Sequence, residues 1–414
     1  MNALLRIERE VLAEGREWTR LRLEQRLQEQ CDAMPMECPA TGQPLRNTRR
    51  RKMGLDTVAG KVNLQVRRGR APDQESWICP ARAAWGLAPY ERKTPELQAR
   101  MIYTAAVVDS YEKAEKMAAR WGTPVSDGSL HHQVQKLGRK AQGLKLPTPA
   151  AAPSEPPFSL VIMMDGWMAR ERGVDWGAGP RQQEPQRVDW REIKSAVIYR
   201  LEQRVENAAG RGQLLEKFAV ATPPETSPVD FGTAVHAEAQ RRGLGRAQVT
   251  YLVMDGAVWL WDLAADRFKD AVKTLDFHHA RDHLHAVAES LHGAGTPAAQ
   301  AWLKGILERL RHGKETLVVR RLEELLESQA QRPTAQQEVI AREVSYFQDH
   351  RDHLHYQTME KDGAPRGSGA VESLGKQLQQ RFRGPGQFWR RPGLTCLLYV
   401  HLLVKNEEEH YLWN

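Results

Sequence analysis

Phe158-Ser-Leu-Val-Ile-Met-Met-Asp165-Gly-Trp167 is an apolar run that ends in an acid, and Val249-Thr-Tyr-Leu-Val-Met-Asp255-Gly-Ala257 repeats the pattern downstream. Both runs are short, rich in β-branched and aromatic residues and bounded by Pro or Gly, which is typical of central strands of a sheet. An Asp directly after each run is expected at the C-terminal end of its strand, where open sheets place their ligand sites. The two runs therefore predict an α/β fold with an acidic site at one sheet edge.

A third acid, Glu372, lies in Gly367-Ser-Gly-Ala-Val-Glu372-Ser373 at the start of a helical pattern. Oxygen ligands with no nearby Cys favour Mg²⁺ or Mn²⁺. Two such ions about 3.5–4 Å apart can stabilise the attacking and leaving oxygens of a phosphoryl transfer. Asp-Gly is also a common way for a strand to enter a turn, and this alternative accounts for either Asp-Gly pair alone. The third acid favours the metal site.

The segment from Gly367 to Trp389 resembles the catalytic-glutamate region of DDE transposases from bacterial insertion sequences, in the subset with a glycine-rich approach to the Glu and a later Trp. The stretch Asp276-Phe-His-His279 is similar to the Asp-x-x-His segment that this subset shares with Mutator-like transposases. The resemblance covers roughly Cys38 to Trp413. It implies an RNase H-like catalytic fold with two divalent metal ions, and Asp276 and His279 near the active site without being ligands. It also implies a catalytic and metal-binding triad of Asp165, Asp255 and Glu372.

The spacing of the three acids agrees with this resemblance. The 90 positions from Asp165 to Asp255 are enough for a β-hairpin, another strand and a helix. The 117 positions from Asp255 to Glu372 exceed what an RNase H-like core needs. The surplus has apolar residues at three-and-four spacing, which predicts helices at Ala298–His312, Glu315–Ser328 and Ala335–Phe347. We therefore expect a helical insertion at about 297–346.

The positive charge of the chain is concentrated in its first part. Residues 1–150 hold 26 Lys and Arg against 17 acids, whereas residues 151–414 hold 34 against 35. The stretch from Arg46 to Arg70 has nine basic residues and one acid. Such clustering is typical of a phosphate-backbone contact, although a solvated charged face is the alternative. The candidate DNA-binding residues in this stretch are Arg49, Arg50, Arg51, Lys52, Arg67, Arg68 and Arg70.

Two short helical patterns, one ending at Trp121 and one following Ser126, flank a turn that contains Gly122. Ser126 is a suitable N-cap for the second helix. The arrangement predicts a helix-turn-helix whose second helix enters a major groove with His131, Gln133 and Gln135. Any two-helix hairpin can show the same pattern, but the neighbouring basic run favours DNA binding.

The cysteine pattern and the shifts in composition define the remaining segments of the chain. Related transposases often carry a zinc ribbon in the region before the helix-turn-helix, but Cys38 and Cys79 each lack the second Cys of the expected pair. A structural zinc site needs four ligands, so we expect a ribbon-like fold without structural zinc. The predicted segments are an N-terminal helical segment at 1–37, a β-rich ribbon-like region at 38–90, a helix-turn-helix domain at 91–144, a Pro/Ala linker at 145–157 and an RNase H-like catalytic domain with a mixed sheet at 158–414.

Several classes of protein are excluded by composition. No apolar run approaches the length of a membrane span, and the charged N-terminus lacks the apolar segment of a signal peptide. Four scattered Cys offer no disulfide framework, so a cytoplasmic protein without a membrane partner is expected. The main hypothesis is a DNA transposase that binds double-stranded terminal repeats and target DNA as a homo-oligomer. The alternatives are a domesticated, catalytically silent DNA-binding protein and an RNase H-like structure-selective nuclease.

Overall fold

The computed structural model describes residues 2–72, 75–151, 154–173, 176, 188–208, 212–328 and 332–413. Parts of four predicted segments lie outside the described residues, namely 1 of the N-terminal helical segment, 73–74 of the β-rich region, 152–153 of the linker, and 174–175, 177–187, 209–211, 329–331 and 414 of the catalytic domain, where 329–331 belong to the predicted helical insertion. The chain forms two compact units. The first contains Met1–Leu144 with Glu407–Asn414, and the second contains Lys145–Asn406.

The division after Leu144 coincides with the predicted start of the linker. The C-terminal boundary differs from the predicted domain 158–414, because the last residues belong to the first unit. Trp413 Nε1 donates a hydrogen bond to Gln98 Oε1 at 3.2 Å, and Lys140 Nζ donates to the backbone oxygen of Leu412. These contacts join residues far apart in sequence, so local patterns do not reveal them.

The first unit combines one long helix, a small sheet and a cluster of short helices. Its elements are α1 (Ala3–Ala33), β1 (Arg46–Thr57), β2 (Gly60–Arg70), β3 (Trp77–Ile78), α2 (Pro80–Ala84), α3 (Pro95–Val107), α4 (Tyr111–Arg120) and α5 (Asp127–Gln142). The strands form an antiparallel sheet in the order β1-β2-β3. Strand β1 pairs with β2 through the basic stretch, so the predicted β-rich region is present.

Helix α1 covers the outer edge of β2 with its second half. Glu24 Oε2 accepts a hydrogen bond from the backbone N–H of Asn63 at 2.9 Å, and Gln28 Oε1 accepts from Gln65 at 2.8 Å. These side chains satisfy strand donors that the two-residue strand β3 does not reach. The first half of α1 instead carries exposed apolar side chains, which are Leu4, Ile7, Val11, Leu12 and Trp18.

Helices α3, α4 and α5 pack together in the first unit. The Ser126 hydroxyl accepts from the backbone N–H of Ser129 at 3.2 Å, so the predicted N-cap of α5 is confirmed. Ala114 of α4 and Leu130 of α5 are wholly buried and belong to one apolar cluster. Helix α3 packs against this pair and was not predicted. The helix pair is therefore present, whereas its role in reading DNA stays a prediction.

The second unit alternates strands and helices before a helical region. Its strands are β4 (Leu160–Arg172), β5 (Val188–Arg200), β6 (Arg204–Glu206), β7 (Gly212–Leu214), β8 (Phe218–Thr222), β9 (Thr250–Met254) and β10 (Val272–Leu275). Its helices are α6 (Pro228–Arg241), α7 (Val258–Arg267), α8 (Phe277–His292), α9 (Pro297–Arg311), α10 (Glu315–Glu327), α11 (Thr334–Asp349), α12 (Tyr356–Lys361), α13 (Gly369–Phe382) and α14 (Arg391–Lys405).

A five-stranded mixed sheet in the order β10-β9-β4-β5-β8 organises the second unit. Strand β4 pairs antiparallel with β5 and parallel with β9, while β5 pairs antiparallel with β8 and β9 pairs parallel with β10. Between the two aspartates lie the predicted hairpin partner β5, the further strand β8 and the helix α6, together with the small β6–β7 hairpin. This mixed α/β sheet is compatible with the predicted RNase H-like core.

Different helices cover the two faces of the sheet. Leu160, Ile162 and Met164 of β4 belong to a buried core that includes residues of α6 and α7. Because side chains alternate along a strand, Asp165 and Trp167 lie on the opposite face. Helix α13 packs against β4 and β5 and places Gly375 beside the Trp167 ring.

The region between the second aspartate and the glutamate is mainly helical. Helices α9, α10 and α11 occur at the three predicted positions and share one core with α8, built around Leu284, Leu310, Leu322 and Val344. The helices are confirmed, and their identity as an insertion into an RNase H-like core stays a prediction. Among the described helices, none combines the length and the apolar character that crossing a bilayer requires.

Candidate active site

The sheet register brings Asp165 and Asp255 to equivalent positions on neighbouring strands. Met163 of β4 lies opposite Val253 of parallel β9, and each aspartate follows its member of this pair by two positions. Alternation along both strands therefore directs the two carboxylates to the same face. The structure corrects one detail, because Asp165 lies inside β4 rather than after its end. The strand continues to Arg172, since its antiparallel pairing with β5 outlasts its pairing with β9.

Asp255 occupies the loop between β9 and α7. Its Oδ1 accepts from the backbone N–H of Ala257 at 2.9 Å, and its backbone oxygen accepts from Trp261 Nε1 at 2.9 Å. Gly256 follows in close contact with Tyr346, because a β-carbon at this glycine would lie 2.4 Å from Tyr346 Cε2. The loop that holds Asp255 is thus fixed from two sides.

Glu372 lies in the first turn of α13, as the sequence pattern predicts. The Ser368 hydroxyl donates to Glu372 Oε1 at 3.0 Å. The ring centroids of Trp167 and Phe382, which belongs to α13, lie 6.2 Å apart. Since Trp167 shares the face of β4 that carries Asp165, the helix that bears the glutamate packs on the aspartate face.

Asp276 ties the start of α8 to the residues that precede α13. Its carboxylate is wholly buried and accepts hydrogen bonds from the backbone N–H groups of His278, His279 and Ser368. Asp276 is therefore the N-cap of α8, and it also positions Ser368, whose hydroxyl donates a hydrogen bond to Glu372. These contacts of Asp276 are structural, and its place near an active site, which the resemblance implies, stays a prediction.

The charges of Asp255 and Glu372 act on Asp165, the first acid of the predicted triad. Burial raises the pKa of Asp165 from 3.8 to about 6. The Gly166 N–H, which donates to Asp165 Oδ1 at 2.7 Å, acts to lower this pKa. The carboxylates of Asp255 and Glu372 raise the pKa further, and His279 opposes them. The structure thus brings Asp165, Asp255, Glu372 and His279 into one neighbourhood.

The donor set fits a hard divalent cation. No three His, Cys, Asp or Glu side chains of the described residues lie close enough together to hold a metal ion as they stand. In each of the three acids one carboxylate oxygen accepts a hydrogen bond, and the other has no hydrogen-bond partner within the described part of the chain. Oxygen donors of this kind suit Mg²⁺ or Mn²⁺. A bound cation would also offset the repulsion between these carboxylates.

A cluster of aromatic and titratable side chains packs behind Asp255. The His283 and Tyr346 rings stack with centroids 3.6 Å apart, and His283 Nδ1 lies 2.5 Å from Oε2 of the buried Glu343. His353 lies against Trp261 with ring centroids 4.1 Å apart, and burial lowers its pKa to about 4. In the sequence, Arg-Asp-His-Leu-His occurs at both 281–285 and 351–355, whereas no local pattern singles out Glu343 or Tyr346.

The predicted DNA-binding residues on the sheet of the first unit are mostly exposed. Arg49, Arg50, Arg51 and Lys52 are exposed side chains of β1. Arg67 has a structural role, because its Nη2 donates to the backbone oxygens of Asp32 and Met34 near the end of α1. Arg68 and Arg70 lie near the ring of Trp77.

The candidate recognition helix requires one correction. Gln133 is only 2% exposed, and its Nε2 donates to Gln98 Oε1 of α3 at 3.0 Å. A side chain turned into its own helical core cannot contact a base edge, so the prediction for Gln133 is wrong. His131 is exposed and Gln135 is half-buried, and their contact with DNA stays a prediction.

The cysteines of the ribbon-like region pack in apolar surroundings. Cys79 shares a buried cluster with Cys31, and burial raises the pKa of Cys31 to about 11. Cys38 packs in another cluster with Leu45 and Ala71. Zinc binds thiolates, and burial disfavours the thiolate of Cys31, whereas hydrogen bonds from Thr41 and Ala40 lower the pKa of Cys38. That the protein holds no structural zinc stays a prediction.

Comparisons with known proteins give little beyond the geometry. No protein family and no curated sequence matches the chain. Among solved structures, a Drosophila P element transposase in a strand transfer complex is similar over 80% of this chain and 96% of its own, with 11% sequence identity and a TM-score of 0.34. A likeness of this size establishes neither a family nor a function.

Proposed function

We propose that this protein is a DNA transposase that cleaves DNA strands and joins them to a target in a metal-dependent reaction. The observation that supports it most is the placement of Asp165 and Asp255 at matched positions of two parallel strands, on the face against which the helix of Glu372 packs. Three acids from distant parts of the sequence thus share one neighbourhood. In this proposal the chain is a DDE transposase of the bacterial insertion-sequence type.

In this proposal some residues of the site bind metal ions and others position the metal ligands. Asp165, Asp255 and Glu372 would hold two Mg²⁺ or Mn²⁺ ions with the carboxylate oxygens that accept no hydrogen bond. When bound, these ions stabilise the charge of the attacking and leaving oxygens at phosphorus. Ser368 orients Glu372, and Asp276 fixes Ser368, so the glutamate side chain has a defined orientation.

Double-stranded DNA is the proposed partner, both as terminal repeats and as target. The nine basic residues from Arg46 to Arg70 form no salt bridge within the described residues, so their charge is available to phosphates. The exposed apolar side chains in the first half of α1 supply a surface for self-association, consistent with a homo-oligomer on DNA.

Strand cleavage in the presence of Mg²⁺ or Mn²⁺ tests this function. Asp165→Asn, Asp255→Asn and Glu372→Gln should each abolish cleavage of duplexes that carry the element's ends, while binding to the same duplexes changes little. Asp262→Asn, at an exposed acid of α7, is the matched control and should cut like the wild type.

Other outcomes separate the alternatives. A wild-type protein that binds these duplexes but cuts nothing with either metal would be a silent DNA-binding protein. Cleavage that depends on branched or flapped structure, without regard to end sequence, would indicate a structure-selective nuclease. Near-normal cleavage by any one triad variant would remove that acid from the triad.

A further inference from the structure

The first unit contains a cationic groove with a volume of about 860 Å³. Its walls come from β1, β2, the Trp77–Cys79 segment and the Arg82–Arg92 segment. The basic residues of the lining are Lys52, Lys61, Arg68, Arg82 and Arg92, and Asp56 is the acid. Within the described part of the chain none of these five cations forms an ion pair with a carboxylate. The groove is therefore a candidate site for a polyanion.

Three arginine side chains lie near Trp77, a residue that lines this groove, and Arg68 of the three lines it as well. The guanidinium carbons of Arg49, Arg68 and Arg70 lie 5.4, 6.0 and 4.9 Å from the Trp77 ring. The strand pairing explains the cluster, because Arg70 lies opposite Trp77 and Arg49 lies opposite Arg68. The Nε atoms of Arg68 and Arg70 are buried and have no hydrogen-bond partner in the described residues. Three crowded guanidinium groups, two of which have an Nε without a hydrogen-bond partner in the described residues, form an environment that a phosphate can complete.

Tyr90 presents an unusual aromatic side chain on the lining of the same groove. It is 95% exposed, and its backbone has φ of +64°. A bulky residue seldom adopts this left-handed conformation. The turn is nevertheless held, because Arg82 Nη2 donates to the backbone oxygens of Ala88 and Glu91. The fold thus fixes a strained turn that holds a tyrosine ring in solvent, where the ring contributes nothing to the core.

Phosphate contacts alone account for the arginines but not for Tyr90. In a duplex the faces of each base are already stacked on neighbouring bases, so an exposed ring has no base face to meet. In an unpaired strand the bases are free, and base–aromatic stacking beside a cationic track is how many proteins hold single strands. A tyrosine beside cations that form no ion pair with a described carboxylate offers both contacts that such a strand requires.

We infer that this groove binds a single-stranded segment of DNA, with phosphates at the arginines around Trp77 and a base stacked on Tyr90. The inference rests on the proposed function, which makes DNA the partner, and adds a site for unpaired nucleotides in the first unit. Melted or cleaved DNA ends would supply such a segment during strand cleavage and joining.

Binding of a fluorescein-labelled dT oligonucleotide and of a mixed-sequence duplex to the full chain, followed by anisotropy, tests the inference. Tyr90→Gly removes the ring and relieves the positive φ, so its fold should be at least as stable as the wild type. It should weaken oligonucleotide binding by between about fivefold and about 150-fold and leave duplex binding within about twofold. Tyr90→Phe should retain wild-type affinity, as should Tyr103→Ala at another exposed tyrosine of the first unit.

A second variant tests the phosphate contacts. Replacing Arg68 and Arg70 together with Gln should lower the magnitude of the log K versus log salt slope for the oligonucleotide by up to about 1.4, because each phosphate contact on a single strand contributes about 0.7. An unchanged slope would remove the arginines from the site.

The outcomes also distinguish this inference from the proposed function. If the wild type binds duplex but not the oligonucleotide, or if Tyr90→Gly leaves oligonucleotide binding unchanged, the groove is no single-strand site while the proposed function stands. If Tyr90→Gly weakens duplex and oligonucleotide equally, the ring has no special role for unpaired bases and the inference fails. A wild type that binds neither DNA overturns both.

Discussion

Replacing Asp165 with Asn should stabilise the second unit at neutral pH while removing a predicted catalytic acid. The pKa of Asp165 rises from 3.8 to about 6 in the folded chain, mainly because the carboxyl group is buried. Each pKa unit corresponds to about 1.4 kcal/mol, so the ionised carboxylate costs the folded state at most about 3 kcal/mol. The group is only partly shielded from water, and solvent screening lowers this figure. We therefore expect Asp165→Asn to raise the free energy of unfolding by about 1–3 kcal/mol.

The stabilisation should follow a defined pH window. Below about pH 4 the carboxyl is protonated in both the folded and the unfolded chain, so Asp and Asn forms should be equally stable. Between about pH 4 and pH 6 the folded chain keeps a proton that the unfolded chain has released, so the wild type loses stability as pH rises. Above about pH 6 the free energy of unfolding of Asp165→Asn should exceed that of the wild type by the full amount.

Thermal unfolding in EDTA between pH 5 and pH 8 measures this effect. One kcal/mol shifts the midpoint of a unit of this size by about 2–4 °C, so Asp165→Asn should raise it by about 2–12 °C at pH 8 and by less at pH 5. Asp262→Asn should stay within about 0.5 kcal/mol of the wild type throughout, because Asp262 is exposed. Mg²⁺ should raise the midpoint of the wild type but not that of Asp165→Asn. If Asp165→Asn left the midpoint at pH 8 unchanged or lowered it, the buried Asp165 carboxylate would not destabilise the folded chain.

Three further predictions concern other parts of the chain. In a denaturant titration, Gly256→Ala should lower the free energy of unfolding by about 1–3 kcal/mol, because the new β-carbon would collide with the ring of Tyr346. Gly305→Ala is the control, since Gly305 lies in a helix with open space around it, and it should raise the free energy of unfolding by about 0.5–1 kcal/mol. Asp276→Asn replaces one accepting oxygen with an amide group that cannot accept a hydrogen bond from a backbone N–H. The rate of DNA cleavage should therefore fall while the affinity for DNA stays the same. A wild-type cleavage rate would mean that Glu372 does not depend on Asp276. Replacing Arg49–Arg51 together with Ala should lower the magnitude of the duplex salt slope by up to about 3, and an unchanged slope would make this stretch a solvated face.

Local sequence patterns predicted the secondary structure at or next to each of the three acids. The apolar runs before Asp165 and Asp255 are strands, and Glu372 begins a helix, because strand alternation and helix capping act over a few residues. The extension of β4 beyond Asp165 was not predicted, because it depends on pairing with β5. The hydrogen bond from Ser368 to Asp276 spans 92 positions, and no local pattern indicates it.

The errors in the first unit have the same origin. Helical periodicity placed Gln133 correctly on α5 but did not reveal α3, whose Gln98 bonds to it. Periodicity gives the faces of a helix, and only the packing partner decides which face is buried. The contact of Trp413 with Gln98 is equally long-range, so the C-terminal boundary of the second unit could not be placed from composition.

Iron-mediated cleavage of the polypeptide tests most directly whether the three acids share one metal site. Fe²⁺ with ascorbate generates hydroxyl radicals at a bound iron, and these cut the nearby backbone. If the three acids share one metal site, cuts should occur close to Asp165, Asp255 and Glu372, all suppressed by excess Mg²⁺ or Mn²⁺ and absent from Asp165→Asn. Cuts confined to one of the three positions, cuts only elsewhere in the chain, or cuts that Mg²⁺ does not suppress would contradict a shared divalent-metal site.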